Sequence, residues 1–250
     1  MLLAAAALPV HAQTDNVDPY RFWKWPAADA VALGKSMAST GVIYGVGGGV
    51  LLMLAAPHDP HVTAELSALP PAPADLVVRV IEEFGNVRAV RPVAGVIFLG
   101  SLITEDRRFQ DAAFTSLEAI MFANVITGGL KSVFGRARPF QDKGAVHFDP
   151  FSGNTSFPSG HSTTAFAFVT PWLLYYPDTF TPGLLLLSAG TAFSRMLTQN
   201  HWFTDVVAGS TIGFATAYYL VGRHKDASRV GVAPIVSGEQ VGITVSIPIE

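Results

Sequence analysis

Six apolar stretches with almost no charged residues constrain the fold of this chain more than any other feature. They lie near residues 41–56, 92–104, 112–130, 163–177, 183–198 and 205–222. Several are shorter than the roughly 20 residues that a straight membrane span needs, and such lengths also suit the core of a soluble helical protein. However, only 14% of the residues are charged, against about 25% in a typical soluble domain. The low charge favours a helical bundle embedded in a membrane.

The first 13 residues differ from the rest of the chain. They form an apolar run that ends in a small-x-small pattern at Val10-His11-Ala12, as at a secretory cleavage site. No basic leader precedes the run, so a short apolar anchor is the alternative to a signal peptide. Residues 14–26 are polar and aromatic, which predicts an interfacial or loop segment.

The other end of the chain also changes character. In residues 231–250, apolar residues alternate with other residues on both sides of a turn signal at Ser237-Gly238-Glu239. This pattern predicts a hairpin of two short strands. The main domain is therefore expected over residues 14–230. Its predicted fold class is all-α, a bundle of about six core helices with a short β-like C-terminal tail.

Composition and isolated patterns argue against several functions. The chain has no cysteine, so it has no disulfide framework and no thiolate metal site. Its formal net charge of −3 argues against general nucleic-acid binding. The glycine run at 45–49 follows no strand pattern, which favours close helix packing over a nucleotide loop. His58 and His61 lack a third ligand at suitable spacing, and neither a metal nor a cofactor is expected.

Three clusters of basic residues and histidines follow one another in a fixed order. They read K-x6-R-P, P-S-G-H and S-R-x5-H-x3-D, and they consist of Lys131 with Arg138-Pro139, Pro158-Ser159-Gly160-His161, and Ser194-Arg195 with His201 and Asp205. Together they supply three fixed cations, a helix start, two histidines and one carboxylate. That inventory suits the binding of a tetrahedral oxyanion and its transfer to nitrogen.

The second cluster predicts an anion site at a helix start. Pro158 and Ser159 precede an apolar run of helical length. Backbone N–H groups at a helix N-terminus point outward without partners and bind phosphate well. Gly160 would let the backbone approach the anion closely, and His161 would lie beside it. Taken alone, the pattern favours an ordinary junction between a loop and a helix, and the other two clusters shift the interpretation toward an anion site.

The third cluster predicts an oriented nucleophile. On a helix, the four-residue spacing of His201 and Asp205 puts both side chains on one face. A carboxylate that accepts from one imidazole nitrogen leaves the other free to attack. Lys131, Arg138 and Arg195 all lie near the ends of apolar runs, where basic residues are also common for structural reasons.

In residue type, order and spacing the three clusters resemble the type 2 phosphatidic acid phosphatase (PAP2) family, whose fold also serves bacterial acid phosphatases and vanadium haloperoxidases. The resemblance covers about residues 112–222. It implies a metal-independent phosphatase in which His201 is the nucleophile that forms a phosphohistidine, Asp205 orients it, and His161 protonates the leaving oxygen. It also implies that Lys131, Arg138, Arg195 and the backbone amides near Ser159 and Gly160 hold the phosphate.

Two charged residues near the clusters receive no role in this interpretation. Arg136 falls outside the matched spacing and is interpreted as a solvent-facing or substrate-rim charge. His224 has no partner in the clusters and is interpreted as incidental. The proline-rich segment 57–91 is expected on the same side as the clusters, where it could cover the site.

The expected substrate is a phosphate ester, namely a lipid phosphate or diphosphate, processed at the periplasmic face of a bacterial inner membrane that the chain crosses several times. Arg107 and Arg108 and the basic residues 223–229 would lie at the opposite, cytoplasmic end under the positive-inside rule. The alternatives are a soluble periplasmic acid phosphatase, a vanadate-dependent haloperoxidase, and a non-enzymatic lipid-binding protein. The identity of the ester and the oligomeric state have no sequence signature.

Overall fold

The protein is a bundle of α-helices. The structure, a computed structural model, describes residues 18–69, 76–178, 181–229, 231–237 and 240–246, and the predicted leader at 1–13 lies outside them. In chain order the helices are α1 (Arg21–Ala38), α2 (Thr40–Ala55), α3 (Asp59–Ser67), α4 (Leu76–Glu83), α5 (Val87–Ser101), α6 (Arg107–Phe134), α7 (Gly160–Tyr175), α8 (Thr181–Leu197) and α9 (Phe203–Arg229).

The predicted all-α bundle is confirmed. Each of the six apolar stretches forms a helix, namely α2, α5, α6, α7, α8 and α9. Among the described residues, α1, α3 and α4 add to these six. The interpretation of residues 14–26 as an interfacial or loop segment is wrong from residue 21 onward, where α1 begins. Arg21 and Trp25 are buried there. Arg21 pairs with Asp111 of α6 at 2.8 Å, and Trp25 stacks on His224 of α9.

Helices α6, α7 and α9 form the centre of the bundle. Their buried side chains, which include Ile120, Val169 and Leu220, form one hydrophobic cluster. Two glycines let α9 approach α7 closely. A Cβ atom on Gly209 would lie 2.2 Å from the carbonyl oxygen of Ser159, and one on Gly213 would lie 2.3 Å from that of Thr163. Larger residues at these positions would force the two helices apart.

The three central helices give the bundle two distinct ends. Helix α6 ends near Lys131, and α7 and α9 begin near Ser159 and Asp205, so all three sequence clusters meet at one end. At the other end, Arg108 and Lys225 donate hydrogen bonds to carbonyl oxygens in the last turn of α7. The basic residues of these turns therefore lie opposite the clusters, as expected from the alternation of the helices.

The predicted β-like tail is present as two strands. Strand β1 (Gly231–Ser237) pairs antiparallel with β2 (Gln240–Ser246), with Ser237 opposite Gln240. The turn residues 238–239 lie outside the described residues.

Candidate active site

The C-terminal end of α6 supplies the first cation and turns the chain toward the site. Lys131 lies in the last turn of this helix. Gly135 then caps the helix with a φ of +54°, and a Cβ atom there would lie 1.7 Å from the carbonyl oxygen of Asp149. Only glycine fits this left-handed, crowded position. After this turn the chain brings Arg136 into contact with Asp205 and Arg138 into contact with Thr155.

Arg136 is the most completely engaged side chain of the site, so its interpretation as a solvent-facing or rim charge was wrong. It is 0% exposed. Its Nη1 donates to Oδ1 of Asp205 at 2.6 Å and to Oγ1 of Thr204 at 2.7 Å. Its Nε donates to the carbonyl of Ala145 and its Nη2 to Asp59. A buried guanidinium is tolerated because its donors are matched by acceptors and two carboxylates balance its charge.

Asp59 is a member of the site that sequence reasoning missed. It is 1% exposed at the start of α3. Its Oδ2 accepts from Arg136 at 2.7 Å, and its Oδ1 accepts from the backbone N–H of Thr204 at 3.0 Å. Asp59 therefore joins α3 to the start of α9. The Asp-Pro pair at 59–60 is a helix-start signal, but nothing local indicates a partner 77 residues away.

The start of α7 has the geometry that the second cluster predicts. Ser159 is the N-cap, and its Oγ accepts from the N–H of Ser162. The backbone N–H of Ser159 donates to the carbonyl oxygen of Asp205 at 2.9 Å, which ties the second cluster directly to the third. Gly160 and His161 form the first turn of the helix. The turn between α4 and α5 packs on His161, since a Cβ atom on Gly85 would lie 2.9 Å from its Cβ.

Arg195 shapes the third cluster with its backbone as well as its side chain. Its carbonyl oxygen accepts from the N–H groups of Asn200 and His201, both at 3.1 Å. Its guanidinium contacts Glu82 of α4 at 3.4 Å, and its Nε has no hydrogen-bond partner among the described residues. These two hydrogen bonds hold the turn that carries His201 against Arg195, whose side chain is one of the three cations.

His201 and Asp205 lie together, although His201 precedes α9 rather than belonging to it. The Nδ1 atom of His201 is 3.6 Å from Oδ2 of Asp205, which is longer than a hydrogen bond. Among the described residues, that Nδ1 has no hydrogen-bond partner. The same Oδ2 accepts from the N–H of Trp202 at 2.9 Å and from the hydroxyl of Ser156.

The carboxylate of Asp205 is therefore held in place by groups other than the histidine. Trp202, Ser156 and Arg136 all donate to it, and it is 0% exposed. Burial lowers the pKa of His201 to about 4, and the opposing effect of the nearby carboxylate does not offset the loss of solvation. At neutral pH the ring is uncharged, as a nitrogen nucleophile must be.

Lys131 and Arg138 converge on one loop residue. The Nζ of Lys131 donates to the carbonyl oxygen of Thr155, and Nη2 of Arg138 lies 3.2 Å from its Oγ1. A cavity of about 570 Å³ opens beside them, and its lining includes Lys131, Arg138, Thr155, Gly160 and His161. Residues 85–88 form part of the wall, which places this described part of the segment 57–91 beside the clusters, as predicted; residues 70–75 lie outside the described residues.

The structure thus brings the residues of all three clusters to one end of the bundle. Lys131, Arg138, Arg195 and His201 lie within electrostatic range of His161. His201 is not among the residues that line the cavity, and its side chain is only 3% exposed. A substrate can therefore reach the ring of His201 only if some of the side chains packed over that ring move. Concentrated positive charge beside two imidazoles suits the transfer of a phosphoryl group.

Comparison with known proteins agrees with this geometry. Residues 112–229 match the profile of the PAP2 superfamily. A 99-residue segment is 36% identical to the lipid A 1-phosphatase of Rhizobium etli, and this match covers 38% of the chain and 42% of that relative. The chain therefore spans less than half the length of the curated relative that it matches.

Two solved structures resemble the fold. A transmembrane PAP2-type phosphatidylglycerolphosphate phosphatase from Bacillus subtilis superposes with a TM-score of 0.57 and 18% identity, covering 72% of this chain and 95% of that one. The LpxE protein of Aquifex aeolicus superposes with a TM-score of 0.50 and 19% identity, covering 65% and 93%. At these identities the similarity establishes the fold and leaves the substrate open.

Proposed function

Since residues 112–229 match the PAP2 superfamily, we propose that the chain is a metal-independent phosphomonoesterase that acts on a lipid phosphate through a phosphohistidine intermediate. The observation that carries the proposal is the contact between clusters at the start of α7. There the N–H of Ser159 donates to the backbone carbonyl oxygen of Asp205, so the first turn of α7 lies beside the turn that carries His201. This bond occupies the Ser159 amide, and the proposed phosphate donors at the helix start are therefore the amides of Gly160 and His161.

The first half-reaction follows from this arrangement. Because Nδ1 of His201 faces Asp205, Nε2 is the attacking atom. Its lone pair forms the P–N bond while the P–O bond to the alcohol breaks, and His161 gives the leaving oxygen its proton. Burial and the nearby cations lower the pKa of His161 to about 4 in the free site, so His161 takes up this proton when the bound phosphate dianion offsets those positive charges. Lys131, Arg138 and Arg195 neutralise the phosphoryl oxygens as charge moves onto them.

The second half-reaction regenerates the enzyme. His161, now neutral, accepts a proton from a water molecule as that water attacks phosphorus. The P–N bond breaks, its electron pair returns to Nε2 of His201, and inorganic phosphate leaves. Asp205 stabilises the positive charge that the His201 ring carries while it is phosphorylated. Its position does not depend on His201, because Arg136, Ser156 and Trp202 hold it.

The surface of the bundle supports a membrane setting. Helix α6 is long and apolar enough to cross a membrane by length and composition, and it is the one described helix that meets both criteria. Large apolar side chains are exposed on several helices, for example Val96, Leu99, Val125, Leu186 and Tyr218. Exposed apolar area of this extent is typical of a surface that contacts lipid.

In the proposed orientation the cavity opens at the level of the lipid headgroups on the periplasmic face. Arg108 and Lys225 mark the opposite end, which the positive-inside rule assigns to the cytoplasm. A lipid phosphate would reach Lys131 sideways while its tails remain in the bilayer. The match to a lipid A 1-phosphatase makes lipid A the first substrate to test.

The test is a phosphate-release assay with protein purified in detergent. The panel contains lipid A, a diacylglycerol phosphate, a polyprenyl diphosphate and a short soluble ester. We expect a long-chain lipid to have at least a tenfold higher kcat/KM than the soluble ester, because buried tails contribute about 0.8 kcal/mol per CH₂. H201A should be inactive on every substrate. The control H61A changes a histidine whose side chain is 78% exposed and should be unaffected.

Two results would contradict the proposal. Retention of most activity by H201A would exclude His201 as the nucleophile. Equal kcat/KM for the lipid and soluble esters, with the protein recovered in the soluble periplasmic fraction after cell breakage, would instead identify a secreted acid phosphatase. Fractionation after a carbonate wash provides the second measurement independently of catalysis.

A further inference from the structure

A second cluster of chemically active side chains lies at the opposite end of the bundle. It consists of Asp29 of α1, Glu118 of α6 and His224 of α9, which are 1%, 4% and 1% exposed. Glu118 precedes Lys131 by 13 positions on the same helix, which corresponds to about 20 Å at 1.5 Å per residue. The cluster is therefore separate from the phosphate site.

The side chains converge on one point. Nε2 of His224 lies 2.8 Å from Oδ2 of Asp29 and 3.4 Å from Oε2 of Glu118. One potential ligand atom from each of the three residues lies within 4.8 Å of the other two. Ligand atoms about 2.0 Å from a zinc ion in tetrahedral geometry would be about 3.3 Å apart, so small side-chain shifts would place them around one cation.

The imidazole of His224 is oriented for such a role. The hydroxyl of Thr115 donates to the carbonyl oxygen of Asp111, so its oxygen is the acceptor for Nδ1 of His224 at 2.7 Å. Nδ1 is then the donor in this bond, and Nε2 is the ring nitrogen that faces the two carboxylates and would bind the cation. Trp25 stacks on the ring at 3.9 Å. An outer-shell hydrogen bond of this kind to the distal nitrogen is typical of histidine ligands.

Glu118 supplies an independent indication of a ligand. Among the described residues neither of its carboxylate oxygens has a hydrogen-bond partner, although the side chain is buried. A buried carboxyl group without a hydrogen-bond partner is destabilising, whether it is charged or protonated. Asp29 differs, because its Oδ1 already accepts from Arg223. Within this cluster of three, Glu118 is the residue whose carboxylate has no hydrogen bond to compensate for its burial.

We propose that Asp29, Glu118 and His224 bind one divalent transition-metal cation of the zinc class. Two carboxylates and one imidazole form a donor set that suits Zn²⁺ and Co²⁺. The cation would link α1, α6 and α9 and would satisfy Glu118. Its role would be structural, since the site lies far from the phosphate-binding residues and the proposed hydrolysis needs no metal. The interpretation of His224 as incidental is wrong in either case, because its ring is buried and bonded.

The test uses the full-length protein with a purification tag that contains no histidine. After treatment with EDTA and its removal, wild-type protein is titrated with Co²⁺. We expect visible absorption bands that saturate at one equivalent, that Zn²⁺ abolishes, and that accompany a rise in the thermal unfolding temperature. The variant E118Q should show neither the bands nor the shift. The control E105Q alters an exposed glutamate and should behave as the wild type does.

Two outcomes would overturn the proposal. The first is a wild-type protein that shows neither Co²⁺ bands nor a metal-dependent shift, in which case the cluster is only an ion-pair network. The second is an E118Q variant that binds Co²⁺ with wild-type affinity. The wild-type titration decides the matter even if E118Q does not fold. Phosphatase activity is not a readout here, so failure of the proposed function would leave this test unchanged.

Discussion

Nη1 of Arg136 lies 2.6 Å from Oδ1 of Asp205, and neither side chain has surface exposed to solvent. This pair fixes the carboxylate that faces the proposed nucleophile. It also makes the site part of the folded core, because Arg136 simultaneously binds Asp59 of α3. Loss of Arg136 should therefore affect stability and catalysis together, whereas loss of a phosphate-binding cation should affect catalysis alone.

The first prediction separates these two kinds of arginine. R136A should lower the free energy of unfolding by about 3–5 kcal/mol, because it leaves two buried carboxylates uncompensated. R138A removes a half-buried side chain that contacts Asn200 and Thr155 at 3.2 Å. It should lower kcat/KM at least a hundredfold with little change in stability. Thermal unfolding and phosphate release measured on both variants provide the check, and equal stability would disprove the buried-pair account.

The second prediction concerns Ser156, whose hydroxyl donates to Oδ2 of Asp205 and which is 0% exposed. S156A should reduce stability by about 1.5–3 kcal/mol, since the hydrogen bond is to a charged group. It should also lower kcat about tenfold with KM unchanged, because Asp205 positions the nucleophile and does not bind substrate. S152A, at an exposed serine, is the control. A change in KM alone would show that Ser156 acts on the substrate instead.

The third prediction concerns pH. In the folded protein burial lowers the pKa of His201 to about 4 from the ordinary value of 6.5. Between these values the unfolded chain binds a proton that the folded protein does not, so stability falls as pH decreases from 6.5 toward 4. H201N removes this contribution. As pH falls, the free energy of unfolding of the wild type should therefore decrease more than that of H201N. Parallel unfolding curves from pH 7 to pH 4.5 would show that His201 is not buried in its neutral form.

The fourth prediction tests the close approach of α9 to α7. G209A would place a methyl group 2.2 Å from the carbonyl oxygen of Ser159, so we expect displacement of the α7 start and loss of most activity. G222A lies on the same helix with nothing within 4 Å of the added carbon, and it should be neutral or stabilising by up to about 1 kcal/mol. Circular dichroism and activity of the pair distinguish packing from helix propensity. Similar behaviour of both variants would rule out the close contact as the cause.

The six apolar helices and the three clusters that meet at one end of the bundle could be predicted from the sequence, because apolar runs and fixed spacings are local signals. Arg136, Asp59 and His224 could not be assigned correctly, since their partners lie far away in the chain. Arg136 and Asp59 are separated by 77 residues, and His224 and Asp29 by 195. From sequence alone a charged residue is expected to face solvent, because the distant residue that would compensate for its burial cannot be identified. The same limit applies to α1, whose buried Arg21 depends on Asp111.

The central claim is that His201 carries the phosphoryl group during turnover. The direct measurement is rapid acid-free quenching of the wild-type enzyme with a ³²P-labelled lipid phosphate, followed by peptide mapping. We predict label that is stable to alkali, labile to acid and located on the peptide containing His201, with none on H201A and normal labelling of H61A. Label on another residue, or full turnover by wild-type enzyme with no labelled protein at any quench time, would contradict the account.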